Sequence, residues 1–260
     1  MSDYEAAILD VDGTIIRGDE LLPGATDGIR ALEDAGCSWV LCSNNPTRGG
    51  DHYREKLAPF GVDVDPERVL TSATITAAYL ADIHPDDAVY LVGGRRLEEL
   101  LEEAGVALTA DPDAADVVVG SFDDEFSYDA LREALRALEG DVPFYGTDPD
   151  TTIPVDDGAI PGSGAILAAM EAVAGREPDA ILGKPSATAA EAAVELLDDP
   201  DPEETLVVGD RLDTDIELGA RAGMTTAVVL TGVTDRADLA ESAVDPDYVL
   251  ESLAEVETIL

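Results

Sequence analysis

Residues 6–14 of the chain read Ala-Ala-Ile-Leu-Asp-Val-Asp-Gly-Thr: four apolar residues lead into a turn that carries two acids. The apolar run predicts a buried strand, and Gly13 with Thr14 predicts that the chain turns directly after it. Reactive groups of open α/β sheets gather beyond the carboxyl ends of the strands. Asp10 and Asp12 are therefore expected to leave the edge of a sheet close together.

Short apolar runs and helical patterns alternate through the rest of the chain. Further strands are predicted at residues 39–42, 88–92, 116–119, 142–145, 205–208 and 225–230. Helices, with apolar residues at three- and four-residue steps, are predicted at residues 25–35, 97–104, 129–138, 165–174 and 187–197. Strands that alternate with helices favour an α/β protein with a mostly parallel sheet.

Three other predicted strand ends carry unusual residues: Ser43-Asn44-Asn45, Gly183-Lys184-Pro185 and the segment from Gly209 to Asp215. These motifs and the first one lie near the two ends of the chain, and the middle has its own strands and helices without comparable residues. We therefore predict a core domain in two pieces, residues 1–81 and 180–260. Residues 82–179 are predicted to form a second, inserted domain.

The acids at these strand ends predict a metal site. Asp10 and Asp12 are close enough in sequence to repel each other, and the same holds for Asp210 and Asp215. A hard divalent cation relieves this repulsion, and Mg²⁺ is commonly held by one or two carboxylates together with a substrate phosphate. In so acidic a chain some acids begin helices by chance, which explains Asp213 well. Asp10, Asp12 and Asp210 directly follow apolar strands, where a capping role does not explain them.

Two further motifs carry groups that bind phosphate. Lys184 is one of only two lysines, since 13 of the 15 basic residues are Arg, and a lysine binds phosphate as a movable point charge. Ser43 and Asn44 offer a hydroxyl and backbone N–H groups, although the same residues are ordinary in turns. Together the four motifs predict a phosphoryl-transfer site that works through an aspartyl-phosphate intermediate.

These motifs resemble those of the haloacid dehalogenase (HAD) superfamily of phosphatases. Residues 10–14 resemble its first motif, Asp-x-Asp-Gly-Thr, residues 43–45 the second, Lys184 in Gly-Lys-Pro-Ser the third, and residues 209–215 the fourth. The long insert, with residues 147–150 and 160–164, resembles the type IIA subgroup of sugar-phosphatase and 4-nitrophenylphosphatase-like proteins. The resemblance implies a Rossmann-like HAD core of mostly parallel strands with an inserted α/β cap domain.

The resemblance also implies a role for each site residue. Asp10 would be the nucleophile, and Asp12 would protonate the leaving oxygen and then activate water. The phosphoryl group would be held by Ser43, Asn44 and Lys184. Mg²⁺ would be bound by the side chains of Asp10 and Asp210 and the backbone carbonyl of Asp12, with Asp215 in support.

The expected substrate is a small phosphorylated metabolite, such as a sugar, glycolate, aryl or nucleotide phosphate. The sequence does not identify the substrate further, because specificity would come from cap residues. A signalling receiver-like module also gathers acids, a hydroxyl and a lysine around Mg²⁺, but it is a single small domain without an inserted cap. A phosphomutase or a phosphate-binding protein without turnover is the other alternative. Type IIA relatives are often dimeric, so a homodimer is allowed.

Composition limits the partners. The 260 residues include 57 acidic and 15 basic ones, which gives a formal net charge of −42. Nucleic acids and anionic membranes are also negative, so neither is expected to bind. No segment approaches the ~18 apolar residues of a membrane span, and the acidic start is not typical of a signal peptide. We therefore expect a cytoplasmic protein whose two cysteines, Cys37 and Cys42, are buried thiols.

The size of the negative charge predicts adaptation to a salt-rich cytoplasm. Self-repulsion at this charge opposes a compact state in dilute buffer, whereas the Debye length falls to about 3 Å at molar salt. The expectation is a halophilic protein, and the alternative is an ordinary acidic one.

Overall fold

The computed structural model describes residues 4–155 and 158–260. The chain forms two compact units. The first unit comprises Met1–Ser43, Gly50–Leu70 and Ala189–Leu260, and the second comprises Asn44–Gly49 and Thr71–Thr188. The division into a core of residues 1–81 and 180–260 and a cap of residues 82–179 stays a prediction.

Strands and helices alternate along the described residues, as the sequence predicts. In chain order the strands are β1 (Ala6–Leu9), β2 (Ile16–Arg17), β3 (Glu20–Leu21), β4 (Ser38–Ser43), β5 (Val69–Thr71), β6 (Val89–Val92), β7 (Val117–Gly120), β8 (Phe144–Gly146), β9 (Thr152–Val155), β10 (Gly158–Pro161), β11 (Ala180–Ile181), β12 (Thr205–Gly209), β13 (Thr225–Val229) and β14 (Tyr248–Leu250). The helices are α1 (Ala25–Ala35), α2 (Gly50–Leu57), α3 (Ser72–Ile83), α4 (Arg95–Glu103), α5 (Tyr128–Ala137), α6 (Ser163–Ala174), α7 (Ala187–Leu196), α8 (Glu217–Ala222) and α9 (Arg236–Glu241).

The first unit is built on a six-stranded sheet in the order β14-β13-β12-β1-β4-β5. Strand β1 pairs in parallel with β12 on one side and with β4 on the other. All four residues of β1 are buried, which explains why this strand reads as an uninterrupted apolar run rather than an alternating one. The order places the ends of β12, β1 and β4 side by side at one edge.

The second unit has a four-stranded sheet in the order β11-β8-β7-β6, with parallel pairing throughout. Its apolar core contains Phe144 and Val118 of the sheet and Leu167 and Met170 of α6. Strands β9 and β10 form a separate antiparallel pair. The predicted α/β class with a mostly parallel sheet is thus confirmed.

Helices α2, α3, α8 and α9 were not predicted from the sequence. Helix α2 is mostly polar and buries only Tyr53 and Leu57, so its periodic signal is weak. Helix α3 has apolar residues around most of its circumference, and a capping box between Thr71 and Thr74 begins it. Among the described residues, no helix is long and apolar enough to cross a membrane.

Candidate active site

Three buried carboxylates meet at the carboxyl edge of the first unit's sheet. Leu9 pairs with Val208 in the parallel ladder, so Asp10 and Asp210 leave neighbouring strands at almost the same level. Asp215 returns to this edge from a single helical turn, Leu212–Ile216. Asp10, Asp210 and Asp215 are 7%, 1% and 1% exposed, and each has an oxygen within 4.8 Å of the others.

Hydrogen bonds from a threonine hydroxyl and two backbone N–H groups orient these carboxylates. The Thr14 hydroxyl donates to Asp10 Oδ2 over 3.1 Å, and the backbone N–H of Val233 donates to Asp210 Oδ2 over 2.6 Å. The backbone N–H of Arg211 donates to Asp215 Oδ2 over 3.1 Å. All three donors are neutral, so they orient the acids without cancelling their charge.

Two glycines allow the backbone to approach Asp210. A Cβ atom on Gly13 would lie 2.3 Å from Asp210 Oδ2, and one on Gly232 would lie 1.7 Å from it. Gly13 also has a φ of +102°, which other residues rarely adopt. The Thr231 hydroxyl donates to the Gly13 carbonyl over 2.6 Å. The loop after β13 therefore holds both Asp210 and the turn that follows Asp10.

Asp12 lies beside a pair of hydroxyl groups. Its side chain is exposed, and its Oδ2 atom is 3.4 Å from both the Ser43 Oγ and the Tyr53 hydroxyl. Those two hydroxyls are 3.1 Å apart. Tyr53, on α2, was not predicted as a site residue, because nothing in a polar helical pattern shows which side chain turns towards a sheet edge.

In the second unit, the side chain of Asn44 is hydrogen-bonded to the backbone of Lys184. The Lys184 N–H donates to Asn44 Oδ1 over 2.9 Å, and the Asn44 side-chain amide donates to the Lys184 carbonyl over 3.0 Å. The Ser72 hydroxyl donates to the Asn44 carbonyl. Lys184 is 2% exposed, and the peptide bond between it and Pro185 is cis. This reciprocal pair connects the second and third sequence motifs, whose residues lie 140 positions apart.

The residues of the first unit fit a divalent metal ion. Three buried like charges within 4.8 Å repel one another strongly unless a cation balances them. The cluster offers only carboxylate oxygens, which Mg²⁺ prefers over nitrogen or sulfur ligands. A binding role for this cluster therefore agrees with the chemistry of its donors.

A fourth buried acid, Asp148, lies in the second unit just after β8. It accepts hydrogen bonds from the hydroxyls of Ser163 (2.6 Å) and Thr147 (2.9 Å) and from the backbone N–H of Asp150 (3.2 Å). Burial, with a contribution from the charge of Asp150, raises the pKa of Asp148 to about 7. The sequence motif around Asp148 shows a resemblance to the type IIA subgroup but gave no sign of this buried acid.

His84 lies in a mostly buried polar and aromatic cluster of the second unit. Its Nδ1 is 2.8 Å from Asp87 Oδ2, and its Nε2 is 3.1 Å from the Tyr145 hydroxyl. Its side chain is only 10% exposed and its ring packs near Tyr79 and Tyr145. The predicted buried thiols are confirmed, because Cys37 and Cys42 are both buried and in the thiol form.

The chain matches two family profiles and a named relative. The profile of the haloacid dehalogenase-like hydrolases matches residues 7–107, and a second profile, described as HAD-hydrolase-like, matches residues 181–256. An acid sugar phosphatase of Staphylococcus aureus (strain USA300) is 36% identical over 255 residues, which cover 98% of this chain and 97% of the relative.

Two solved structures are similar over nearly the whole chain. The p-nitrophenyl phosphatase of Archaeoglobus fulgidus has a TM-score of 0.93 at 33% identity, covering 99% of this chain and 100% of its own. The 4-nitrophenylphosphatase of Thermotoga maritima has a TM-score of 0.91 at 35% identity, covering 99% and 98%. With these relatives and both matching profiles, the chain belongs to the haloacid dehalogenase-like hydrolases, in the type IIA subgroup.

Proposed function

We propose that this phosphoric monoester hydrolase cleaves small phosphate monoesters with the help of Mg²⁺, and that Asp10 becomes phosphorylated during turnover. The observation that carries the proposal is the cluster of Asp10, Asp210 and Asp215, three buried carboxylates within 4.8 Å at the carboxyl edge of a parallel sheet. The family to which the chain belongs and the names of its relatives support the same reaction class.

The metal would be held by the side chains of Asp10 and Asp210 and by the backbone carbonyl of Asp12, with Asp215 in support. When bound, Mg²⁺ would neutralise negative charge on the phosphoryl oxygens and on the carboxylates beside them. The hydrogen bonds from Val233 to Asp210 and from Thr14 to Asp10 would keep these carboxylates in fixed orientations.

The reaction proceeds in two displacements. In the first, a carboxylate oxygen of Asp10 forms a bond to phosphorus, and the bond from phosphorus to the ester oxygen breaks. Asp12 gives its proton to that oxygen, so the alcohol leaves as a neutral molecule. In the second, Asp12 takes a proton from water, the water oxygen bonds to phosphorus, and the bond to Asp10 breaks, which releases inorganic phosphate.

Ser43, Asn44 and Lys184 are proposed to hold the phosphoryl group, as the second and third motifs imply. Lys184 would supply positive charge. Both polar atoms of the Asn44 amide bond the backbone of Lys184, so Asn44 would act through its own backbone and by fixing the Lys184 loop. This assigns to Asn44 a structural task as well as a binding one.

Aryl and sugar phosphates are the first substrates to examine. Relatives of this chain are named acid sugar phosphatase, p-nitrophenyl phosphatase and 4-nitrophenylphosphatase. We place specificity in the predicted cap of residues 82–179, and we do not expect nucleic acid as a substrate, because the chain carries a net charge of −42.

The same charge supports the proposal of a halophilic, cytoplasmic enzyme. Melting temperatures across a potassium chloride series test the salt requirement. We expect the melting temperature to rise with salt well beyond the concentration at which exposed charges are largely screened. Equal melting temperatures in dilute and molar salt would contradict adaptation to salt.

The proposed function is tested by phosphate release from p-nitrophenyl phosphate in molar potassium chloride. We expect release with Mg²⁺, loss of release with a chelator, and recovery when Mg²⁺ is added back. Transfer of the phosphoryl group to an added sugar, without net phosphate release, would indicate a mutase instead. Tight phosphate binding without turnover would indicate a binding protein.

A further inference from the structure

Tyr53 contacts two groups to which the proposed mechanism gives different tasks. Its hydroxyl is 3.1 Å from Ser43 Oγ and 3.4 Å from Asp12 Oδ2. The side chain is 1% exposed and belongs to the apolar core of the first unit together with Leu41 and Leu57. Because packing fixes the ring, the hydroxyl has a fixed position at the sheet edge.

The three groups form a triangle that contains two hydroxyl hydrogens. Ser43 Oγ is itself 3.4 Å from Asp12 Oδ2, so either hydroxyl can donate to this carboxylate oxygen. A serine hydroxyl has only one hydrogen. If Ser43 donates that hydrogen to the phosphoryl group of the substrate, Tyr53 is the member of the triangle that still donates to Asp12.

We propose that Tyr53 is a positioning residue for Asp12, which it holds in place while Ser43 binds the phosphoryl group. The side chain of Asp12 is exposed, and an exposed carboxylate samples several rotamers unless a fixed donor selects one. Proton delivery to the leaving oxygen requires a carboxyl group within hydrogen-bond reach of that oxygen. The inference rests on the proposed function, because it assumes that Asp12 is the proton donor.

Tyr53→Phe removes the hydroxyl and keeps the packed ring. The informative readout is kcat/KM for two substrates, because this ratio reports the steps up to the phosphorylation of Asp10. Glycerol phosphate has a poor leaving group that needs a proton, whereas p-nitrophenolate leaves without one. We expect Tyr53→Phe to lower kcat/KM by about tenfold or more for glycerol phosphate and by less than about threefold for p-nitrophenyl phosphate.

Two further variants serve as references. Tyr90→Phe removes another buried hydroxyl, which donates to Glu133 in the second unit, and should leave both ratios near the native values. Asp12→Asn removes the proton donor, so its kcat/KM should differ most between the two leaving groups. Addition of Tyr53→Phe to Asp12→Asn should then change this difference no further, because the two residues act through the same proton.

Equal losses of kcat/KM on the two substrates, or no loss on either, would overturn the positioning role. A melting curve in molar potassium chloride checks that Tyr53→Phe is folded. If it is not, Tyr53→Met fills similar space with a flexible apolar side chain and gives the same readout. A native enzyme that hydrolyses neither substrate would overturn the proposed function, and the inference with it.

Discussion

The six-stranded sheet of the first unit and the four-stranded sheet of the second each have a buried acidic residue at the carboxyl end of a central strand. The surroundings of these acids differ. In the first unit Asp10, Asp210 and Asp215 lie within 4.8 Å of one another. In the second unit Asp148 follows β8 and is surrounded by donors from Ser163, Thr147 and the backbone of Asp150. The first site brings three carboxylates together, whereas the carboxylate of Asp148 is hydrogen-bonded by three neutral donors.

This difference separates the proposed catalytic site from a structural network. Asp148 has hydrogen bonds to both oxygens and a pKa raised to about 7, so near neutral pH it can take a proton instead of needing a cation. Three clustered acids cannot all be relieved by neutral donors. The proposed active site is therefore distinguished by the crowding of several acids, not by the burial of one.

The comparison predicts its largest effect at Asp10. Asp10→Asn should lower the rate of phosphate release by about 10⁴-fold or more, the scale expected when a catalytic nucleophile is lost. Asp148→Asn makes the same chemical change at the other buried site and should keep activity near the native value. Both are read from steady-state hydrolysis of p-nitrophenyl phosphate. Comparable losses in the two variants would erase the distinction between the two sites.

Lys184 provides the next effect. Lys184→Ala should lower kcat/KM by about 10²-fold, as expected when a charged group is removed from a developing phosphoryl charge. Lys56 is the natural control, since it is the only other lysine in the sequence and pairs with the fully exposed Asp19. The Lys56 side chain is 20% exposed and its partner Asp19 is fully open to solvent, so water screens the pair and it contributes little. Lys56→Ala should therefore behave like the native enzyme. A loss in Lys56→Ala as large as in Lys184→Ala would argue for a general charge effect.

Metal affinity gives a third contrast. Asp210→Asn keeps an acceptor for the Val233 N–H but removes a proposed metal ligand. The Mg²⁺ concentration for half-maximal activity, and the dissociation constant of Mn²⁺ followed by electron paramagnetic resonance, should each rise by at least about tenfold. Asp148→Asn should leave both quantities unchanged. Unaltered Mn²⁺ binding by Asp210→Asn would place the metal elsewhere.

The last contrast concerns stability rather than rate. Burial raises the pKa of Asp148 from 3.8 to about 7, so between these pH values the folded protein keeps a proton that the unfolded chain releases. The native free energy of unfolding should therefore fall as pH rises from about 4 to about 7, by up to about 4 kcal/mol from this one group, and the loss should level off above that range.

Asp148→Asn should remove this contribution. The difference in unfolding free energy between variant and native should move in favour of the variant as pH rises through the same interval. Denaturant titrations in molar potassium chloride at a series of pH values measure it. Parallel pH profiles would mean that Asp148 is ionised in the folded protein throughout.

Most of what could be predicted from the sequence came from hydrophobic periodicity and from the acidic residues that follow predicted strands. The predicted strand at 6–9 and helix at 25–35 coincide with β1 and α1, because each is a long or fully buried pattern with clear limits. The acids after β1 and β12 were found because an acid that follows a buried strand stands out against an apolar background.

The rest depended on tertiary contacts that no local pattern carries. Tyr53 lies in a polar helix, and only the fold brings its hydroxyl to Ser43 and Asp12. The Val233 donor to Asp210 is a backbone N–H, which every residue except proline possesses. His84 and Tyr145 are 61 positions apart, so their contact is equally invisible in the sequence.

The most direct test of the central claim is to trap the phosphorylated residue. Labelled p-nitrophenyl [³²P]phosphate is mixed with the native enzyme and with Asp12→Asn, which should form the phosphorylated enzyme but release phosphate slowly, and acid-quenched samples are digested with trypsin. The account predicts label on the peptide of residues 1–17, located at Asp10 by tandem mass spectrometry, stronger in Asp12→Asn and absent in Asp10→Asn. Label on another residue, or turnover with no labelled protein in either enzyme, would contradict a nucleophilic role for Asp10.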